Sequence, residues 1–182
     1  LSHLKNIIEA AGMIQKRDPA AHSIWEVLLT YPGFHALAYH QLANFLYRRR
    51  HYLLAVIIAH WGKRATGVDI HPGASIGKFL FIDHGNGVVI GETTIIGNQV
   101  TILHNVTLGS RKATDGRRHP KIEDGVFIGA GAQILGPVVI GQRAKVGAGT
   151  VVLNDVPDGA TVVGNPGRII NKKADIKTVS LK

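Results

Sequence analysis

A branched aliphatic residue recurs every six positions between Ile70 and Val152, and this period constrains the fold more than any single residue does. The frame runs Ile70, Ile76, Ile82, Val88, slips by two residues, and resumes as Ile90, Ile96, Ile102, Leu108. After an insertion it continues as Ile122, Ile128, Ile134, Ile140, Val146 and Val152. Glycine follows many of these positions (Gly77, Gly91, Gly97, Gly109, Gly129, Gly141, Gly147), where it is expected to serve a tight corner. Two positions before each aliphatic the side chain is small or branched, as at Ala74, Val100, Val126 and Ala144. A helix face repeats about every 3.6 residues and a half-buried strand every second residue, so a hexad is neither. It fits one flat side of a triangular prism. Three hexads make a coil, and coils stacked roughly 4.8 Å apart bury a core that no single short strand can bury alone. Sandwich strands would instead give period two with irregular turn spacing.

The frame has one large gap. Ile122 follows Leu108 by fourteen positions, so an excursion loop, 109–121, leaves the wall carrying Arg111, Lys112, Arg117, Arg118, His119 and Lys121. Long loops on regular scaffolds tend to carry function.

Residues 1–67 read as an α-helical N-terminal domain. Leu4, Ile7, Ile8, Ala11 and Ile14 keep helical spacing. A second helix is expected to start with Asp18 as N-cap and Pro19 in the first turn, running to about Thr30. A third is expected over Phe34–Arg50 with Leu37, Leu42, Phe45 and Leu46 inward, and a fourth over His51–Arg64, closing at Gly67. The prism then occupies 68–170. The segment from Thr161 to Pro166 is expected to leave it, and 171–182 reads as a flexible tail.

Composition narrows the function. The 182 residues contain no cysteine, which removes disulfides and thiolate metal sites. No apolar run approaches the roughly 18 residues of a membrane span, and no signal-peptide pattern is visible, so a cytoplasmic protein without a membrane partner is expected. Leu1 stands where an initiator Met would, which suggests that the numbering begins inside a longer chain. The net charge of +9 favours an anionic partner. Because the basic residues are dispersed and aromatic content is 6%, a phosphorylated small molecule fits better than nucleic acid.

There is no Gly-x-Ser-x-Gly elbow and no phosphate loop, so histidine is the main candidate for chemistry. His84, in Ile82-Asp83-His84-Gly85, falls at or near a prism edge, where a neutral imidazole suits proton abstraction from a hydroxyl. Asp69 precedes the first inward aliphatic, points outward, and is the best candidate to orient that base. It lies fifteen residues from His84 instead of the eighteen of a stacked position, and spacing alone leaves their contact open.

Several stretches together resemble the serine O-acetyltransferase family. These are Asp18-Pro19-Ala20, Asp69-Ile70-His71-Pro72-Gly73-Ala74, Asp83-His84-Gly85, Gly87-Val88-Val89-Ile90-Gly91-Glu92-Thr93, Val106-Thr107-Leu108-Gly109 and Arg118-His119-Pro120-Lys121-Ile122. Hexapeptide repeats alone occur in many acyltransferases; Asp18, Asp83-His84 and Arg118-His119 in combination are far more specific. The resemblance implies a left-handed parallel β-helix, assembled as a homotrimer with sites in the clefts between prisms. It implies transfer of acetyl from acetyl-CoA, a co-substrate and not a bound cofactor, to the L-serine hydroxyl, on the route to cysteine. It makes His84 the base and Asp69 its orienting acid. Serine is to be held by Asp18, Asp83, Arg118 and His119, and the CoA arm by Gly109, Ser110, Ala130, Gly131, Lys145 and Ala148. No metal is expected.

Two departures stand out. The family usually continues Leu-Gly-Gly-Thr-Gly, whereas this chain reads Leu108-Gly109-Ser110-Arg111-Lys112. Many members end in an isoleucine that enters O-acetylserine sulfhydrylase, whereas this sequence ends Ser180-Leu181-Lys182, which argues against that partner. The helical part is shorter than in members that join two trimers, so a trimer is favoured over a hexamer. The main rival function is a hexapeptide acetyltransferase for a sugar or xenobiotic hydroxyl. A zinc hydratase using His84, His104 and His119 is disfavoured because spacings of twenty and fifteen do not stack. A non-catalytic solenoid requires His84 to be buried.

Overall fold

The computed structural model describes residues 2–170, with side chains from residue 8 onward. Helices α1 (Ser2–Arg17), α2 (Ile24–Thr30), α3 (Pro32–Arg48) and α4 (Tyr52–Thr66) precede a parallel β-helix. Its first face stacks β1 (Asp69–Ile70), β4 (Val89–Ile90), β7 (Thr107–Gly109), β10 (Gln133–Leu135) and β13 (Val151–Val152). The second stacks β2 (Ser75–Ile76), β5 (Ile95–Ile96), β8 (Lys121–Ile122) and β11 (Val139–Ile140). The third stacks β3 (Phe81–Ile82), β6 (Thr101–Ile102), β9 (Phe127–Ile128), β12 (Lys145–Val146) and β14 (Thr161–Val163), with β15 (Arg168–Ile170) antiparallel on β14. Thr161–Val163 therefore remains in the wall, contrary to expectation, because Val162 continues the core ladder opposite Val146. The tail 171–182 lies outside the described residues.

The hexad aliphatics form the axis: Ile90, Ile102, Leu108, Ile122, Ile128, Ile134 and Ile140 are all essentially buried. The glycines after them have a different reason from the one expected. Gly77, for example, is not in a left-handed turn; a Cβ there would lie 2.6 Å from the carbonyl oxygen of Gly97 in the next coil. Close approach between coils, not turning, requires glycine.

The helices close the bottom of the prism. Ala36 and Leu37 of α3 join the prism core, and Gly33 packs directly on the Ile82 backbone. Leu42 and Phe45 are half exposed, not inward, because α3 buries its small side, Gly33, Ala36 and Ala43, together with His40. Four side chains among the described residues pin the helices to the prism: Asn44 donates to Pro72 and Ala74 carbonyls, and Arg17 to those of Phe79 and Gln99, while Lys63 meets Asp69 and Tyr47 meets Glu92. Asp18 does not cap α2. Its carboxylate accepts the N–H of Ala20 in an Asx turn, and Ser23 caps the helix by accepting from Glu26 N–H.

Candidate active site

Function-bearing residues gather along two of the three prism edges. Asp83 and His84 follow β3, where the chain turns from the third face to the first. His84 adopts a left-handed φ of 59°, uncommon for a non-glycine residue, and its side chain is 73% exposed. Its Nε2 lies 3.9 Å from Asp83 Oδ1. His104 occupies the same turn one coil above, and the two rings meet edge to face with centroids 5.8 Å apart. Stacking there was not expected from a spacing of twenty. The pairing of Ile82 with Ile102 explains it, since this coil is two residues longer than three hexads.

Asp18, Tyr31 and Asp83 form the neighbouring group. Tyr31 donates its hydroxyl to Asp18 Oδ2 at 2.6 Å. Burial, and then the charges of Asp18, Glu26 and Asp83, hold that phenol in its protonated form well above its ordinary range. No lysine or arginine pairs with Asp18 or Asp83 among the described residues. The result is a patch of carboxylates without a matching cation beside an exposed imidazole.

Above His104 the same edge is lined by small residues. Gly131 N–H donates to the His104 carbonyl and Gly149 N–H to that of Ala130, which places Ala130 and Ala148 in succession above the histidines. Of the predicted CoA residues, Ala130, Gly131 and Ala148 thus share the His84 edge, and Lys145 is exposed on the adjoining third face. Gly109 ends β7 at the far side of the first face, and Ser110 opens the loop. Ser110 Oγ is engaged by Lys112, donating to its carbonyl at 2.6 Å and accepting its N–H at 3.2 Å.

Arg118 and His119 lie at the first-to-second edge, from which the loop departs. Arg118 pairs with Glu92, whose other oxygen accepts the Tyr47 hydroxyl at 2.8 Å. The hydrogen bond from Tyr47, followed by that from Arg118, lowers the Glu92 carboxyl below its ordinary range. Thr93 Oγ1 accepts the backbone N–H groups of Arg118 and His119, at 3.0 and 3.1 Å, and lies 2.9 Å from His119 Nδ1. With both N–H groups directed at Oγ1, its own proton is free to go to Nδ1, which makes Nδ1 an acceptor and places the ring's single proton on Nε2. Burial, then the Arg118 charge, lowers the His119 pKa and keeps the ring neutral.

The structure therefore groups Asp18 with Asp83 and His84, and separates them from Arg118 and His119 within one chain. Asp69 is held by Lys63 Nζ at 2.7 Å, and among the described residues no hydrogen bond joins it to His84. His119 stands apart from the His84–His104 pair, so the three histidines do not converge on one point in the chain. Sequence reasoning assigned no role to Tyr31, Tyr47, Glu92 or Thr93 and considered His104 only as a ligand of the disfavoured zinc hydratase; Glu92 and Thr93 had a visible signal, as part of the matched stretch after Gly91.

Comparison with known proteins identifies the family. Residues 119–154 match the bacterial transferase hexapeptide (six repeats) family. The chain is 53% identical over 154 residues to a serine acetyltransferase of Bacillus subtilis (strain 168), covering 85% of this chain and 71% of that protein. The chain belongs to the serine acetyltransferase family. Soybean serine acetyltransferase complexed with serine superposes with a TM-score of 0.88 at 49% identity, covering 91% of this chain and 68% of that one. Serine acetyltransferase in complex with coenzyme A from Brucella abortus strain S19 gives 0.89 at 42%, covering 93% and 68%. The fold is that family's left-handed parallel β-helix behind four helices, as the resemblance implies, built on the triangular prism that the hexads predict.

Proposed function

We infer that this chain is an acetyl-CoA-dependent serine O-acetyltransferase, with L-serine as acceptor and O-acetyl-L-serine and CoA as products. The observation that carries this reading is the combination of an exposed His84 with the carboxylates of Asp18 and Asp83, which no lysine or arginine pairs among the described residues. Carboxylates suit an ammonium group, which a simple sugar lacks. A guanidinium presents the planar fork that a carboxylate requires, and Arg118 supplies it.

In this reading His84 takes the proton from the serine hydroxyl as its oxygen attacks the thioester carbonyl. The C–O bond forms, the C–S bond breaks, and the proton passes from His84 to the departing sulfur. Backbone N–H groups beside the thioester stabilise the oxyanion, each typically worth about 3 kcal/mol. The small residues above His104 leave a path along which the pantetheine arm reaches the base.

Because Arg118 and His119 lie on a different edge from His84, a complete acceptor pocket needs a second copy of the chain. This supports a homotrimer with sites between prisms, and a dimer of trimers remains compatible with it. No helix among the described residues is long and apolar enough to cross a membrane, and we place the enzyme in the cytoplasm.

The test is a thiol-release assay with acetyl-CoA against a panel of acceptors. L-serine should exceed threonine, galactosides and chloramphenicol; preference for a sugar or chloramphenicol would overturn the acceptor assignment. His84→Ala should remove about 10²–10⁴-fold of serine-dependent turnover.

A further inference from the structure

We propose that Tyr31 is a positioning residue of the acceptor pocket, which fixes the Asp18 carboxylate for the ammonium group of an amino-acid acceptor. The proposal rests on the serine reading and adds a residue to it.

Asp18 lies in the turn between α1 and α2, where its backbone N–H donates to the Ile14 carbonyl and its own carbonyl accepts the Ala21 N–H. Its carboxylate takes one bond from within that turn, from Ala20 N–H to Oδ1 at 2.8 Å. That bond engages Oδ1 alone. Tyr31, at the junction of α2 and α3, reaches back across thirteen residues and donates to Oδ2 at 2.6 Å. Tyr31 is itself well fixed: its backbone N–H donates to the Val27 carbonyl at the end of α2, and its carbonyl accepts from His35 N–H in the first turn of α3. Two residues later Gly33 packs on Ile82, the residue before Asp83. The hydroxyl that orients Asp18 is thereby referenced to the strand that carries Asp83 and His84.

The charges support this assignment. Tyr31 faces Asp18, Glu26 and Asp83, and the Glu26 carboxylate is already occupied by His22 N–H at 2.9 Å. In that field the phenol stays a donor, and a donor to a carboxylate fixes orientation without neutralising charge. A lysine in its place would fill the site that the substrate ammonium needs. A phenylalanine would keep the packing and lose the alignment.

The experiment compares wild type, Tyr31→Phe, Asp18→Ala and the double variant, with L-serine and with 3-hydroxypropanoate, which lacks the amino group. Tyr31→Phe should raise the serine KM by about 10- to 150-fold, the range expected for one bond to a charged group. The acetyl-CoA KM and turnover of 3-hydroxypropanoate should stay within about twofold, and adding Tyr31→Phe to Asp18→Ala should change the serine KM no further. An unchanged serine KM in Tyr31→Phe, with Asp18→Ala still impaired, would overturn the role of Tyr31 while leaving the pocket intact. Equal losses on both acceptors and on acetyl-CoA would show a packing role and also overturn it. An unchanged serine KM in Asp18→Ala would overturn the ammonium pocket itself, and Tyr31's role with it.

Discussion

Tyr47 of α3 donates its hydroxyl to one oxygen of Glu92 while Arg118 pairs with the other, so a single carboxylate ties the helical region to the loop that carries the guanidinium. The loop's base is thereby anchored from outside the prism. Fork recognition of a carboxylate depends on guanidinium orientation, so losing this anchor should cost more than the added freedom of the positive charge gains. Glu92→Gln is expected to raise the serine KM by about tenfold, with the acetyl-CoA KM little changed, and steady-state kinetics with each substrate varied in turn would show the split. A lower serine KM would mean instead that Glu92 competes with substrate for Arg118.

Two glycines of the hexad frame should fail in different ways. A Cβ on Gly91 would collide with the imidazole of His119, a side chain that can move, whereas a Cβ on Gly77 would press on the Gly97 backbone at 2.6 Å, which cannot. Gly91→Ala should therefore reduce kcat/KM for serine about tenfold or more at near-native Tm. Gly77→Ala should lower stability by about 1–3 kcal/mol, measured by denaturant titration, while its folded fraction keeps normal kinetics. Reversed outcomes would remove the placement of His119 over Gly91.

Acid should weaken the joint between helices and prism through His40. Burial lowers its pKa from the ordinary 6.5 to about 4, and its Nδ1 has no hydrogen-bond partner among the described residues. Other charges facing this ring are His71 and Arg48, both opposing its protonation, while a backbone hydrogen bond with Ala74 acts in the opposite direction. The folded pKa is depressed, so the unfolded chain binds the proton first as pH falls. The contribution is fully present above about 6.5 and is lost between there and about 4, a change on the order of 3 kcal/mol. Denaturation midpoints for wild type and His40→Gln between pH 7 and 4.5 should show a flatter dependence in the variant; equal slopes would exclude His40 as the titrating group.

The prism was legible because its period is local: each inward aliphatic announces itself by spacing, and Ile122 to Val152 repeat without interruption. Counting by eighteen does not find the histidine pair. The two-residue slip in phase at Val88–Ile90 also lengthens the coil to twenty, so that His84 meets His104. Asp-Pro before an apolar stretch fits a helix N-cap as well as it fits an Asx turn, and the sequence does not show that Ser23 has the capping role at α2. Tyr31 and Tyr47 carried no signal, since their partners are set by how α2 and α3 lie on the prism. Residue types suited to an acetyl acceptor site were readable from motifs; their division between two edges was not.

That division gives the sharpest test of assembly. His84 sits where the third face turns into the first, and Arg118 where the first turns into the second, so the intervening wall separates them within one chain. A column of flat faces encloses no large pocket of its own, and three columns around an axis set one kind of edge against another. Chains carrying His84→Ala and chains carrying Arg118→Ala should each be nearly inactive alone. After mixing and confirmed subunit exchange, some interfaces pair an intact His84 with an intact Arg118, so activity should return to a fraction of wild type. Recovery that follows the fraction of mixed trimers, measured by sedimentation and thiol release on the same samples, would support a site built from two chains. No recovery after proven exchange would assign both residues to the half-site of one chain, and a fully active monomer would eliminate the shared cleft.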